Sequence, residues 1–228
     1  QSLLQSYDRR VRQDAFNTYY KAYESHQYTY STLLAGSIKK DLFYSRAKNF
    51  SSYRAKALFS ENIPVEVYDN LLDSVHQNLD PLYKYFDLRK RLLELDELHI
   101  YDCNVALVKD MKWHMPFEQA AEEIKSALKP LGEEYVEQLG RGLSVDRWTD
   151  RYENKGKRSG AYSSGCYDSN PFILMNYRED NINSAYTLAH EAGHSMHSFY
   201  SRKNQPYLYS DYTIFVAEVA STFNEAFL

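Results

Sequence analysis

Cysteine is scarce in this chain, which has only Cys103 and Cys166 among its 228 residues. A scaffold of this size that depended on disulfides would use more cysteines, and neither residue has a second one nearby to complete a thiolate zinc site. The scarcity excludes a disulfide framework and favours a reducing, cytoplasmic environment.

The sequence also lacks long apolar runs and an excess of positive charge. No stretch of about 18 apolar residues is present, so no segment is expected to span a membrane. The first residues, "QSLLQSYDRRVRQDAF", have no apolar core of a secretory signal, although processing or truncation would hide one. A formal net charge of −4 leaves no basic surface for nucleic acid. We therefore expect neither a membrane nor a nucleic-acid partner.

What the sequence does contain is the composition of a soluble globular protein. Hydrophobic residues make up 43% of the chain and charged residues 25%. The length suits one sizeable domain or one large piece of a bigger protein. No repeat, low-complexity tract or linker marks a division into two domains.

Helical periodicity dominates the first half of the chain. A long helical pattern follows Asp8, which can cap its start, and Gly36 either weakens that helix or is tolerated within it. A second pattern is broken or kinked at Pro81. Two further helices are predicted between residues 116 and 140, separated near Pro130 and closed by Gly140.

Two short segments favour β-structure instead of helix. They are "HIYDCNVALV", which ends at residue 108, and "PFILMNY" at residues 171–177. The predicted fold class is therefore mainly α, a multi-helix domain with a small β element near residues 100–108 and 171–177.

The segment "AYTLAHEAGHSMHSFY" contains the pattern His-Glu-x-x-His. Such a match fixes only three positions, so its structural context has to decide whether it is a chemical site. Asn183 or Ser184 can cap a helix here, and an apolar stripe follows at 3.6-residue spacing. Because His190 and His194 then lie one turn apart on an adjacent face, both imidazoles can bind one metal ion.

Glu191 is offset from both imidazoles, which gives it a different role. Zn²⁺ prefers nitrogen ligands in a tetrahedral arrangement, and a glutamate beside them can face a water molecule on the ion. We therefore interpret Glu191 as the catalytic base that takes a proton from this water, with one Zn²⁺ as the cofactor. Cobalt and manganese stay open as alternatives.

The third metal ligand has to come from another part of the chain. His197 lies about 10 Å from His190 along the helix, too far for one ion to bind both, so we interpret it as a packing residue or a support for a ligand. The longer motif with a third histidine does not apply either, since Tyr200 occupies that histidine's position.

Glu218 is the candidate for the third metal ligand. It lies in an apolar helical pattern, "YSDYTIFVAEVASTFNEAFL", where a carboxylate is costly to bury unless a cation neutralises it. The segment between His194 and Glu218 is long enough for one helix to end and a second to return alongside. The alternative is that Glu218 points to solvent or pairs with an arginine. Glu225, two turns further, either hydrogen-bonds a ligand histidine or is solvated.

A loop rich in glycine and serine, "KGKRSGAYSSGCYDSN", is predicted at residues 155–170. It leads into the strand predicted at 171–177 and from there into the motif helix. A loop next to a chemical site is often part of it, whereas the alternative is an ordinary surface connection.

Several of these segments resemble a known family. "TLAHEAGHSMHSFYS", "QPY" and "YTIFVAEVASTFNE" closely resemble the oligoendopeptidase F family of zinc oligopeptidases, relatives of thimet oligopeptidase. "GKRSGAYSSGCYDSNPFILMNY" and "NIPVEVYDNLL" are similar to further stretches of it, so that the resemblance covers essentially the whole chain. In that family, the glutamate at the position of Glu218 is the third zinc ligand.

The resemblance implies a mainly helical, zincin-like catalytic domain with a deep channel that admits short peptides and excludes folded proteins. It implies that a zinc-activated water hydrolyses internal bonds of oligopeptide substrates, and that the enzyme is cytoplasmic. The "SGAYSSG" loop would line the channel and contact the peptide backbone.

Members of that family are much longer than this chain. The resemblance therefore implies that residues 1–228 are a catalytic-region fragment, without an N-terminal part and without a C-terminal segment whose His and Tyr stabilise the tetrahedral intermediate. Losing one hydrogen-bond donor that stabilises such an intermediate lowers the reaction rate about 100- to 1,000-fold. We expect a zinc-dependent endopeptidase or, for the isolated chain, a non-catalytic core that binds zinc or peptide. A purely structural protein would require the motif, Glu218 and the loop to coincide by chance.

Overall fold

The computed structural model describes residues 2–108 and 112–228. The chain forms two compact units, Gln1–Met111 and Lys112–Leu228. No linker in the sequence marks this boundary, so the division is visible only in the structure. That residues 1–228 are a catalytic-region fragment stays a prediction. Among the described helices, none has the length and apolar character needed to cross a membrane.

The first unit is built from helices, as predicted. The Asp8 side chain accepts a hydrogen bond from a backbone N–H at 2.9 Å and caps the first helix. The chain then turns at Ser25 and His26, whereas Gly36 is tolerated within the second helix. Pro81 lies in the first turn of a new helix, where its missing N–H leaves no hydrogen bond unmade. The helices are α1 (Arg9–Glu24), α2 (Gln27–Ala47), α3 (Tyr53–Phe59), α4 (Val65–Gln77) and α5 (Asp80–Leu92).

The β-structure predicted near residues 100–108 is wrong. Ile100–Asp102 form a 3-10 helix, and turns and bends continue from there to residue 108. The β-leaning side chains do not decide this conformation, because the Asp102 carboxylate accepts a hydrogen bond from the backbone N–H of His99 at 3.0 Å. That contact closes a tight turn, which a strand could not make.

Arginine side chains surround the fully buried carboxylate of Asp102. Arg12 donates to its Oδ1 at 2.6 Å and Arg9 to its Oδ2 at 3.0 Å. Arg89 donates to the backbone oxygen of Asp102 at 3.0 Å. Burial by itself would raise the pKa of Asp102, but the hydrogen bonds from Arg9 and Arg12 outweigh it and hold that pKa below its usual value. This Asp102 cluster ties α1 and α5 to the turn.

The second unit combines four helices with a small sheet. The strand order is β1–β3–β2, with β1 parallel and β2 antiparallel to β3, and Ser163 lies opposite Ile173. The strand predicted at residues 171–177 is confirmed by β3. The elements are α6 (Phe117–Ala127), α7 (Glu133–Leu143), β1 (Thr149–Asp150), β2 (Tyr162–Ser164), β3 (Phe172–Leu174), α8 (Ile182–Asn204) and α9 (Ile214–Glu225).

Three boundaries in the second unit differ from prediction. Helix α7 continues through Gly140 and ends at Leu143, because Gly140 does not adopt the positive φ with which a glycine commonly terminates a helix. The loop predicted at 155–170 contains β2. Helix α8 is capped by Asn181, not by the predicted Asn183 or Ser184, since the Asn181 side chain accepts the N–H two residues on at 3.1 Å.

The core of the second unit lies between the sheet and the helices. The predicted apolar stripe of α8 is buried, including Leu188, Ala192 and Met196. Side chains from α6, α7 and β3 pack against it, with Phe117 and Leu139 fully enclosed. Each large side chain of this kind contributes about 1.5–3 kcal/mol by leaving water. The buried stripe fixes the rotation of α8 and therefore the direction of the motif residues. The mainly α fold class is confirmed.

Candidate metal centre

Helix α8 carries the motif residues at the edge of its buried face. The side chains of His190 and His194 are 26% and 17% exposed, and Glu191 is only 6% exposed. All three line a cavity of about 540 Å³, together with Ser163 and Tyr212. The fold therefore holds the imidazoles half-buried but accessible from one side.

Helix α9 approaches α8 closely, and Gly193 makes this approach possible. A Cβ at position 193 would lie 2.6 Å from the carbonyl oxygen of Ala220 and 2.7 Å from the Cα of Ser221. Because both are backbone atoms, any side chain at 193 would force the helices apart. The glycine between the two histidines thus brings Glu218 to the imidazoles.

Three ligand atoms converge where α8 and α9 meet. The Nε2 atoms of His190 and His194 are 3.1 Å apart, and each is 3.5 Å from Oε2 of Glu218. In a tetrahedral zinc site with bonds of about 2.0–2.1 Å, neighbouring ligands are about 3.3–3.4 Å apart. The spacing and the donor types of this ligand triangle (His190, His194 and Glu218) therefore fit one Zn²⁺.

His194 is favoured in the uncharged form that a metal ligand requires. Burial lowers the pKa of His194, and the neighbouring His190 lowers it further. Glu218 and a backbone hydrogen bond to Ala217 act in the opposite direction but do not cancel this effect. The neutral imidazole keeps a lone pair for a metal ion.

Glu225 contacts His190 on the side of the ring that faces away from the triangle. Its Oε1 lies 2.5 Å from Nδ1 of His190. This contact favours a proton on Nδ1, which leaves the Nε2 lone pair directed at the triangle. The sequence left open whether Glu225 hydrogen-bonds a ligand histidine or is solvated. In the structure it contacts His190.

Glu218 belongs to the ligand triangle although its side chain is not buried, as the sequence had suggested it would be. Its side chain is 48% exposed, and the neighbouring Val219 and Phe223 are exposed as well. The expected burial of Glu218 among apolar residues is therefore wrong. Its Oε2 accepts a hydrogen bond from Ser221 at 2.8 Å, and no arginine of the described chain forms an ion pair with it. Contact with the two imidazoles, not burial, distinguishes this carboxylate.

Glu191 combines burial with an oxygen that has no partner. Burial raises the pKa of Glu191, and the charge on Glu218 adds to this rise. His190 and a hydrogen bond from the backbone N–H of Ser163 lower the pKa but do not cancel the rise. Within the described residues, Oε2 of Glu191 makes no hydrogen bond. A buried carboxylate with free lone pairs and a raised pKa is suited to accept a proton.

His197 lies outside the ligand triangle. Its ring stacks on that of Tyr212, with centroids 3.8 Å apart and an interplanar angle of 16°. The Tyr212 hydroxyl lies 2.6 Å from Oγ of Ser198, which fixes the tyrosine at the cavity wall. This agrees with the interpretation of His197 as a packing residue.

The loop at residues 155–170 borders the same cavity. Ala161, Tyr162 and Ser163 line it, and Oγ of Ser163 lies 2.8 Å from Oγ of Ser195 on α8. This part of the loop is therefore not an ordinary surface connection.

Gly193, Ser163 and Tyr212 shape the site but were not among the residues predicted individually for it. For Gly193 there was a signal, since a glycine inside a helix costs about 1 kcal/mol relative to alanine and so implies a packing reason. Nothing in the sequence separates Ser163 from the other serines of its loop. Nor does anything separate Tyr212 from the other tyrosines of a chain that contains 22.

Known proteins are similar to this chain in sequence and in fold. The model of "Peptidase family M3" matches residues 2–228. The chain is 52% identical over 227 residues to oligopeptidase PepF of Bacillus subtilis, covering 100% of this chain and 34% of that relative. It is 43% identical over 225 residues to an oligoendopeptidase F homolog of Borreliella burgdorferi, covering 99% and 38%. The crystal structure of oligoendopeptidase-F from Enterococcus faecium matches with a TM-score of 0.64 and 34% identity, covering 99% of this chain and 32% of that one.

These similarities confirm the resemblance to oligoendopeptidase F that the motifs indicated. The chain spans about a third of the length of the relatives that it matches. Since the family model covers nearly every residue, the chain belongs to peptidase family M3.

Proposed function

We propose that the protein is a zinc-dependent endopeptidase that hydrolyses internal bonds of short peptides. The observation that carries this proposal is the ligand triangle with the free oxygen of Glu191 beside it. Structural zinc sites are closed by a fourth protein ligand, whereas catalytic sites use three. Within the described residues the group has three members, as a catalytic site requires.

Each residue of the site has a distinct role in this proposal. His190, His194 and Glu218 would hold the ion, and Glu225 would fix the tautomer of His190. Bound Zn²⁺ would supply a Lewis acid for the scissile carbonyl and for a water molecule. Glu191 would accept the proton of the attacking water and return it to the departing amine. Its raised pKa brings it closer to the pH at which such transfers are efficient.

The relatives support oligopeptides as the substrates. Their names are oligopeptidase and oligoendopeptidase F homolog. Because the chain spans about a third of their length, the activity, the oligopeptide substrates and a cytoplasmic location are all parts of the proposal. The cytoplasmic location is supported by the scarcity of cysteine.

A second candidate is a core that binds zinc or peptide without turnover. It is favoured by the described cavity wall, which has no lysine or arginine to stabilise a developing oxyanion. The hydroxyl of Tyr212, which also lines this cavity, is already in contact with Ser198.

Wild type and Glu191→Gln together separate the two candidates. We would measure zinc content by elemental analysis, hydrolysis of an internally quenched fluorogenic peptide, and binding of the same peptide by anisotropy. An endopeptidase predicts that Glu191→Gln keeps its zinc while hydrolysis falls at least about 100-fold, and that a chelator abolishes hydrolysis by wild type. Full activity of Glu191→Gln would refute the role of this residue, and binding without hydrolysis by wild type would favour the second candidate.

The ligand assignment has its own test. We expect His190→Ala and Glu218→Ala to reduce bound zinc, because each removes one corner of the triangle. Glu137→Ala is the matched control, since it removes an exposed glutamate of the same unit on α7. Equal zinc content in Glu218→Ala and Glu137→Ala would remove Glu218 from the ligand set.

A further inference from the structure

Helix α8 carries a cation, Arg202, beyond the ligand triangle. Its Nη2 donates to the carbonyl oxygen of Gly165 at 3.2 Å, whereas its buried Nη1 has no hydrogen-bond partner among the described residues. Arg141, Arg151 and Arg178 of the same unit each pair with a carboxylate. Within the described chain, no ion pair includes Arg202, although a permanently charged guanidinium is costly to bury unpaired.

The loop backbone is shaped around this guanidinium. A Cβ at Gly165 would lie 2.7 Å from Nη1 of Arg202, so only glycine leaves room for the group where it is. The loop thus holds the cation in place with one backbone hydrogen bond and leaves its second nitrogen unused. The loop backbone therefore fixes the guanidinium at this position without supplying a counter-charge.

Arg202 lines a cavity of about 650 Å³ that adjoins the cavity at the ligand triangle. The two cavities share the side chains of Ser163, Ser198 and Tyr212. One carboxylate, that of Asp211, also lines the second cavity, but it is not within ion-pair distance of Arg202. A peptide that extends past Tyr212 would therefore reach a cation that forms no ion pair with a carboxylate of the described chain.

The helix sets the distance between this cation and the ligand triangle. Arg202 follows His194 by slightly more than two turns, which corresponds to about 12 Å along the helix axis. An extended peptide advances about 3.3–3.4 Å per residue. A group bound at Arg202 would therefore lie about three or four residues from a bond held at the triangle.

We propose that Arg202 binds a carboxylate of the peptide substrate, three or four residues from the bond that is cleaved. The carboxylate belongs either to an Asp or Glu side chain or to the C-terminus of the peptide. This subsite rests on the proposed peptidase function, and it makes the cavity beyond Tyr212 a determinant of which peptides bind and in what register.

The test uses the zinc-loaded chain with Glu191→Gln, so that the peptides are not cleaved. The probes are fluorescein-labelled octapeptides in which a single Glu or Gln is moved from position to position, each with a C-terminal acid or amide. Dissociation constants come from anisotropy. We expect the Glu peptide to bind at least about fivefold tighter than the Gln peptide when the residue is at one or two adjacent positions. Alternatively, the peptide with a C-terminal acid should bind at least about fivefold tighter than the peptide with a C-terminal amide. The first result identifies a side chain, and the second identifies the terminus.

Two variants locate the preference. Arg202→Gln should abolish it, whereas Lys203→Gln should keep it, because Lys203 is a neighbouring cation that pairs with Glu134 at 3.0 Å. Arg202→Lys keeps the charge and should keep part of the preference, which guards against a folding defect in Arg202→Gln. No peptide binding, no carboxylate preference, or a preference that survives Arg202→Gln would overturn the proposal.

Hydrolysis by the protein with Glu191 intact is scored separately. A carboxylate preference without hydrolysis would keep the subsite and remove the endopeptidase function. Hydrolysis without a carboxylate preference would keep the endopeptidase function and remove the subsite.

Discussion

Asp102 in the first unit and Glu191 in the second are both buried carboxylates, but their surroundings are opposite. Asp102 accepts hydrogen bonds from Arg9, Arg12 and a backbone N–H. Glu191 accepts one from the backbone of Ser163, and among the described residues its Oε2 has no partner. Burial pushes both pKa values upward, yet the partners reverse the shift only at Asp102.

This difference separates a structural role from a chemical one. A carboxylate with satisfied lone pairs stabilises the fold and accepts a proton only at low pH. A buried carboxylate oxygen without a partner costs stability, but the raised pKa of its carboxyl group makes it a better proton acceptor. Removing the charge should therefore have opposite consequences at Asp102 and Glu191.

The largest expected effect is on stability, at Asp102. Asp102→Asn leaves Arg12, which is 3% exposed, without a counter-charge. Breaking a buried pair in this way costs about 3–5 kcal/mol. Urea unfolding followed by circular dichroism measures this loss. The chain's two tryptophans, Trp113 and Trp148, both lie in the second unit, so their fluorescence transition should move much less.

Asp69→Asn is the matched control for Asp102→Asn. Asp69 pairs with Arg54 at 2.5 Å, but the two side chains are 49% and 44% exposed. An exposed pair contributes about 0–1 kcal/mol, because water and salt screen it. Similar losses in Asp102→Asn and Asp69→Asn would contradict a structural role for the Asp102 cluster.

The lowered pKa of Asp102 also predicts sensitivity to acid. Its folded pKa lies below the unfolded value of about 3.9, so its contribution is fully present above that pH and is lost as pH falls through the folded pKa. The difference in unfolding free energy between wild type and Asp102→Asn should therefore shrink when the pH is lowered from 6 to about 3. A difference that stays constant would show that charge is not the cause.

The crossing of α8 and α9 should be the next most sensitive feature. Gly193→Ala puts a methyl group against the backbone of Ala220, and such overpacking costs about 1–3 kcal/mol. Because α9 must then shift, Glu218 moves away from the imidazoles and bound zinc should fall. Elemental analysis and tryptophan fluorescence in urea measure both effects.

Gly36→Ala in α2 is the control for this substitution, and its stability is followed by circular dichroism because Gly36 lies in the first unit. A Cβ at position 36 meets nothing within 4 Å, so the change should be neutral or stabilise by up to about 1 kcal/mol through helix propensity. If Gly193→Ala matched Gly36→Ala in stability and kept its zinc, the close helix contact would not be what positions the third ligand.

Local patterns predicted much of the fold, and a long-range contact accompanies the wrongly predicted β-structure near residues 100–108. The apolar stripe of α8 and the cap at Asp8 depend only on nearby residues, and both were predicted. The turn at Ile100–Asp102 is closed by the hydrogen bond between His99 and Asp102, but the buried Asp102 carboxylate also pairs with Arg12, which lies 90 positions away in the sequence, so the β-leaning side chains were misleading. A pairing over that distance leaves no periodic signal.

The same division applies to the site. His190 and His194 could be paired from their spacing, because one helical turn brings them together. Glu218 was selected for burial that the structure does not have. Its approach to the imidazoles depends on the close contact between α8 and α9 at Gly193. Local sequence pattern does not show which helix packs against Gly193, because that depends on how the helix surfaces fit together.

Glu225 should affect metal affinity more than stability. Glu225→Gln replaces the carboxylate at 2.5 Å from Nδ1 of His190 by an amide, which fixes the tautomer less strongly. Loss of such a support typically costs about 10- to 100-fold in metal affinity. Competition with a chromophoric chelator measures this, and Glu137→Gln on α7 is the control. An affinity within about twofold of wild type would contradict the role of Glu225.

The smallest effect on stability is expected at Glu191, where the two buried carboxylates can be compared directly. Glu191→Gln removes a buried charge whose Oε2 has no partner among the described residues, and it leaves the volume of the side chain unchanged. In the metal-free chain, the unfolding free energy should therefore change by less than about 1 kcal/mol, and in the stabilising direction. Tryptophan fluorescence in urea reports on this unit through Trp148, which lies in its core. A loss as large as that of Asp102→Asn would mean that Glu191 has stabilising partners after all, and a carboxylate held in that way would be a poor proton acceptor.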